Sequence, residues 1–154
     1  MSEDKYRAAL DMAAKQLSYR ALSAKMLRDK LLAKGHDEEA ADYALAWLTE
    51  RSLLNDTLFA ESVVRGYARK GYGAARIRQM LYAKHIPREL WDEALAELPE
   101  QDDAIDAFLQ KRFRGRQPDR TEIRRAADAL LRRGHAWGDI RRALERYDPD
   151  LPEE

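Results

Sequence analysis

The chain has no cysteine among its 154 residues. Disulfide frameworks, thiolate metal sites, iron–sulfur clusters and cysteine nucleophiles are thereby excluded. No apolar run approaches the roughly 20 residues needed to span a bilayer. The opening residues, Met1-Ser2-Glu3-Asp4-Lys5, are charged and have no apolar signal segment behind them, so a cytoplasmic protein without membrane contact is expected. Glycine (7) and proline (5) are scarce and stand at punctuation points. No sustained period-two run of β-branched residues marks a strand. Net charge is absent as well: 28 Lys and Arg balance 28 Asp and Glu, so overall charge selects no partner.

What is present is alanine, leucine and arginine, all good helix formers. The apolar positions recur periodically, which predicts a packed all-α fold rather than disorder. Self-comparison then shows one pattern three times. Lys34-Gly35-His36, Lys84-His85-Ile86 and Arg133-Gly134-His135 align at offsets of 50 and 49 residues. Four positions before the middle residue of each turn stand Leu31, Leu81 and Leu130; eight before stand Leu27, Ile77 and Ala126. After the turns, Ala44-Leu45, Ala94-Leu95 and Ala143-Leu144 begin a second stripe, which Leu48, Leu98 and Tyr147 continue. Spacings of three and four put each set on one helical face.

A further helix precedes each pair, marked by Tyr6, Leu10, Ala13 and Leu17, by Phe59, Val63 and Tyr67, and by Ile105, Phe108, Leu109 and Phe113. The expectation is nine helices in three tandem three-helix repeats over 1–53, 54–99 and 100–154. Boundary residues agree: Asp37, Asn55 or Asp56, and Asp119 with Glu122 suit helix starts, Pro87 suits a first turn, and Gly35 and Gly134 suit helix ends. Each 50-residue unit is marginal by itself, so stacking into an elongated, curved array, right- or left-handed, is expected. At about two helix diameters per unit, three units reach roughly 60 Å and leave little room for a deep pocket.

Charge is banded along the chain. From Arg65 to Arg88 there are seven basic residues and no acid; Glu89 to Asp106 holds eight acids and no base. Asp37 to Glu61 has seven acids and one base, and Lys111 to Arg142 has eleven bases and four acids. Lys34, Lys84 and Arg133 end helices, where the dipole accounts for a cation. The remainder is not explained that way. Arg65, Arg69, Arg76, Arg78, Arg124 and Arg125, with Lys70 and Arg132 beside them, form the candidate contact set for an anionic partner, nucleic acid or acidic protein.

Catalytic motifs are missing. His36 and His135 stand just past equivalent turns and His85 one place earlier, so they read as turn and cap residues, and no metal or cofactor site is expected. Gly71-Tyr72-Gly73 lacks the Gly-Lys-Ser/Thr of a phosphate loop and reads as a helix–helix turn. There is no Gly-x-Ser-x-Gly elbow. Trp47, Trp91 and Trp137 fall in third helices and read as core. A binding protein, not an enzyme, is expected.

The segment Leu54-Asn55-Asp56-Thr57-Leu58-Phe59-Ala60, followed by Lys70-Gly71-Tyr72-Gly73-Ala74-Ala75-Arg76-Ile77-Arg78 and Leu81, resembles the RecX family, whose pattern is L-N/D-D-x-x-F-A and then K-G-Y-G-x-x-R-I-R-x-x-L. Arg20, Ser23, Leu27, Lys30, Leu31 and Lys34-Gly35 are similar to the family's first unit, and Leu130-Leu131-Arg132-Arg133-Gly134 to its last. Met26 stands where the family usually has Glu. His85 replaces a turn glycine, which disfavours a left-handed turn there. The resemblance implies a monomeric all-α regulator of the RecA recombinase, acting in DNA repair, recombination and the SOS response. It would lie in the groove of RecA–single-stranded DNA filaments and restrain ATP hydrolysis, strand exchange and co-protease activity; some members also touch single- or double-stranded DNA. Two other readings remain open at this point: a helix-turn-helix DNA-binding protein, and a helical-repeat scaffold for another partner.

Overall fold

In a computed structural model the chain is described over residues 2–151. Nine α-helices and one 3-10 turn, and no strand, make up the described residues: α1 (Ser2–Tyr19), α2 (Ala24–Ala33), α3 (Glu38–Glu50), α4 (Asp56–Arg69), α5 (Ala74–Ala83), α6 (Trp91–Ala96, entered through a 3-10 turn at Arg88–Leu90), α7 (Gln101–Phe113), α8 (Arg120–Arg132) and α9 (Trp137–Leu144). The all-α class and the tandem three-helix pattern therefore hold. Among these residues no helix is long and apolar enough to cross a membrane.

The chain divides into two compact units. Unit 1 is Met1–Ser62 with Leu81–Ala94; unit 2 is Val63–Met80 with Leu95–Glu154. In unit 1, α1, α2 and α3 close over Leu27, Leu31, Leu48 and Leu54. Five buried alanines, Ala9 and Ala13 on α1 and Ala40, Ala41 and Ala44 on α3, lie in the same core and let backbones approach. In unit 2, α7, α8 and α9 enclose Ile105, Leu109, Phe113, Ile123, Leu130, Ile140 and Leu144, larger side chains that fill their core by volume.

Helix starts follow their chemistry. Asp37 and Asp119 accept the N–H groups of Ala40 and Glu122, both at 2.8 Å. Asn55 caps α4 by accepting from Leu58. Asp56 instead accepts the Ala24 N–H at 2.9 Å, so one dipeptide serves two helix starts. Lys5 ties α1 to the start of α3 through Asp37 (2.9 Å) and Glu39 (3.0 Å). Those two acceptors hold the Lys5 ammonium above its ordinary range, and the Ala40 N–H and then Lys5 hold Asp37 below the carboxylate range.

Four turns share one hydrogen-bond pattern. Gly35 and His36 donate to Leu32 and Leu31; Gly71 and Tyr72 to Ala68 and Tyr67; His85 and Ile86 to Tyr82 and Leu81; Gly134 and His135 to Leu131 and Leu130. This Schellman arrangement requires a left-handed residue at its first donor. Glycine supplies it at three of them, and His85 adopts it at φ 56°. His85 takes the left-handed conformation despite the cost expected of it: the two hydrogen bonds hold the histidine where its Cβ is disfavoured.

Candidate functional site

All eight candidate cations lie in unit 2, and none lies in unit 1. Arg65 and Arg69, four residues apart on α4, line a groove of about 470 Å³ with Val64, Ala68, Glu97 and Pro99. Lys70 follows them, exposed at the end of the helix. On α5, Arg76 is half-buried and Arg78 exposed. Arg125 and Arg132, seven residues apart on α8, share a face. Arg124 lies in a different groove, of about 760 Å³, beside Arg120, Ile123, Leu131 and Asp128. The structure thus brings Lys70 and Arg76 to one turn and leaves Arg124 apart.

The turn Gly71-Tyr72-Gly73 organises this surface. It makes a close approach, to its own chain. Gly73 N–H donates to the Arg133 carbonyl at 2.7 Å and Ala75 N–H to the Gly134 carbonyl at 3.1 Å. Arg133 Nη2 donates to the Lys70 carbonyl at 2.6 Å. A Cβ on Gly73 would sit 2.4 Å from the Gly134 oxygen, and one on Gly134 would sit 2.3 Å from the Arg76 nitrogen. The C-terminal end of α8 therefore abuts the N-terminal end of α5 at a distance that only glycine permits. Opposite partial charges of the two helix ends meet there.

His135 completes the junction. It is 4% exposed. Its Nε2 lies 2.8 Å from the Gly71 carbonyl, which requires that nitrogen to carry the proton and donate, and its buried Nδ1 has no partner. Burial, followed by the Arg133 charge, lowers its affinity for a second proton against the weaker pull of the Gly71 carbonyl and Asp139. The sequence reading of His135 as a turn residue was incomplete: it is a buried clamp. Its equivalent one repeat earlier, Ile86, is buried to the same degree, and apolar burial at that position was the signal available.

Rings and guanidinium groups alternate around the clamp. Arg76 and Arg133 lie 5.9 and 5.1 Å from the Tyr72 ring centre. Arg133 is also 5.5 Å from Phe108, which Arg112 meets at 5.7 Å. Lys70 meets Tyr67 at 5.2 Å, and Tyr67 packs edge-on against Tyr72 at 5.6 Å. Ring faces hold the flat cations in place, and Arg133 and Arg76 each spend one N–H within the chain, on the Lys70 carbonyl and the Gln79 side chain. Sequence reasoning missed Arg112, Arg133, Tyr72 and Phe108 as site residues, because Arg133, which links the two rings, lies 61 positions from Tyr72 and 25 from Phe108.

Unit 2 also separates engaged cations from available ones. Arg116 pairs with Glu122, Arg141 with Glu145, Arg142 with Asp102 and Asp139, and Arg146 with Asp106. The first three belong to the basic stretch read from the sequence, and their charge is neutralised internally. Among the described residues, Arg65, Arg69, Lys70, Arg76, Arg124, Arg125 and Arg132 form no such pair. No group of three or more His, Asp or Glu among the described residues is placed to hold a metal ion.

Fold and surface together define a class: a tandem three-helix repeat protein with one basic, aromatic-backed surface. Family models match three successive segments, described as the first, second and third three-helix domains of RecX, over residues 9–48, 55–95 and 100–144. The chain belongs to the RecX family. It is 42% identical over 131 residues to Regulatory protein RecX of Stenotrophomonas maltophilia strain K279a, covering 83% of this chain and 79% of that one. It is 33% identical over 127 residues to Regulatory protein RecX of Vibrio parahaemolyticus, covering 80% and 81%. The crystal structure of RecX from Lactobacillus salivarius shares the fold, with a TM-score of 0.83 over 96% of this chain and 99% of that one, at 23% identity.

Proposed function

We propose that this chain binds the RecA–single-stranded DNA filament in its groove and restrains RecA's ATP hydrolysis, strand exchange and co-protease activity, by binding and not by catalysis. The reading is supported by membership of a family of regulatory proteins together with one observation: unit 2 holds unpaired cations on a ring-backed surface fixed by the Gly73–Gly134 junction. Guanidinium groups held against rings lose little freedom on meeting an anion, so several modest contacts can add up through effective concentration on a polymer.

The same junction argues against a helix-turn-helix reader. Such a module presents the N-terminal residues of its second helix to base edges. Here that end of α5 is closed by the carbonyls of Arg133 and Gly134. The nearby rings are covered by guanidinium groups, which leaves them poor platforms for bases. The test is ATP turnover by RecA on single-stranded DNA as this protein is added. Inhibition at micromolar protein, with co-sedimentation of the filament, is expected; turnover unchanged and no binding would refute the reading.

A further inference from the structure

We infer that His135 is a positioning residue that holds the cation surface of unit 2 together while its imidazole is neutral, so that acidification below about pH 6.5 weakens the junction and, with it, anion binding. The surface draws Lys70 and Arg76 from one turn and Arg132 and Arg133 from the other. These are joined by the hydrogen bonds of Gly73, Ala75, Arg133 and His135 across the junction. His135 is the one titratable side chain among those four donors in the pH range around neutrality.

Its surroundings suit the neutral ring. Nε2–H is matched by the Gly71 carbonyl, and Nδ1 is buried without a partner. A proton on Nδ1 would add a donor with nothing to receive it and a charge with little water around it. Two charges act on the ring: Arg133 at the end of α8 disfavours a further proton, while Asp139 on α9 and the Gly71 hydrogen bond favour it, and burial outweighs both. Lys70 and Arg76, on the facing turn and α5, meet the junction through their backbone. Burial lowers the folded-state pKa, and the unfolded or opened chain, with an ordinary value near 6.5, takes the proton first. The junction is therefore undiminished above about pH 6.5 and weakens as pH falls below it.

The binding consequence runs against simple electrostatics, in which a protein gains positive charge and grips an anion more tightly as pH falls. It rests on the proposed function only in its binding arm. In the free protein, amide hydrogen exchange is measured at Gly73 and Ala75 from pH 7.5 to 5.0, corrected for intrinsic exchange, with Leu27 in unit 1 as reference. Protection at Gly73 and Ala75 should fall at least tenfold while Leu27 holds. It should stay flat in His135→Gln, which keeps a donor for Gly71, and in His135→Ile, which copies the equivalent position at Ile86. Unchanged protection in the wild type, or an equal fall in both variants, overturns the inference. In the second arm, wild-type affinity for RecA filaments, divided by that of His135→Gln at the same pH, should drop at least about twofold by pH 5.5; a constant ratio overturns the link to binding. Exchange behaving as described with no filament binding at any pH would sink the proposed function and leave the clamp intact.

Discussion

Single residues carry the junction, and glycine is the first of them. Gly73→Ala would push a methyl group onto the Gly134 carbonyl at 2.4 Å, where only backbone can yield. A loss of about 3 kcal/mol is expected, read by urea unfolding, in line with overpacked sites. Gly66 is the contrast: it lies inside α4, and a methyl group placed there would meet nothing within 4 Å. Gly66→Ala should therefore stabilise by roughly 0.5–1 kcal/mol, because alanine loses less backbone freedom. His85 gives the opposite test of a left-handed residue. Its φ of 56° is held by the turn, so His85→Gly should raise stability by about 1 kcal/mol in the same assay. A loss on that substitution would mean that the imidazole contributes more than its backbone costs.

At the scale of elements, each unit contains the same kind of junction made from different groups. In unit 1, the Ser23 hydroxyl donates to the Lys84 carbonyl at 2.6 Å and accepts the Met26 N–H at 3.2 Å, so the α2 cap also receives the end of α5. In unit 2, Gly73, fifty positions later, donates its own N–H to the Arg133 carbonyl. One repeat uses a side chain and the other uses the backbone, and the repeat offset is preserved. Ser23 is fully buried. Ser23→Ala should cost about 2 kcal/mol, since it removes a cap and strands a half-buried carbonyl. Chemical denaturation monitored by far-ultraviolet circular dichroism measures it, and a change below about 0.5 kcal/mol would show that water replaces the hydroxyl.

For the whole molecule, zero net charge conceals a division by unit. The residues of unit 1 carry 14 Asp and Glu against 11 Lys and Arg, a net −3; those of unit 2 carry 14 against 17, a net +3. An anionic partner is thus attracted by one unit and repelled by the other, which favours a defined placement over wrapping. Arg69→Glu with Lys70→Glu should weaken filament binding about tenfold or more and flatten its dependence on salt, because the lost contacts are the screened ones. Lys34→Glu, exposed in unit 1, should change affinity less than about twofold, the small effect of a charge outside the contact. Equal effects from the two would place the contact surface elsewhere. Titration by fluorescence anisotropy at two ionic strengths separates these outcomes.

The helical class, the three-fold repetition and most caps were legible in the sequence, because each depends on residues within a few positions of one another: Leu27 with Leu31, Asp119 with Glu122, Gly134 after Leu130. The basic character of the 65–78 stretch was legible for the same reason. Which arginines are engaged internally was not, since Arg142 meets Asp102 and Arg146 meets Asp106 across 40 residues. Nor was the clamp of His135 on Gly71, 64 residues away, or the sharing of Arg133 between Tyr72 and Phe108. Local sequence settles backbone conformation through short-range sterics and hydrogen bonds. Only tertiary packing decides which distant charges neutralise one another and which are left to face a partner.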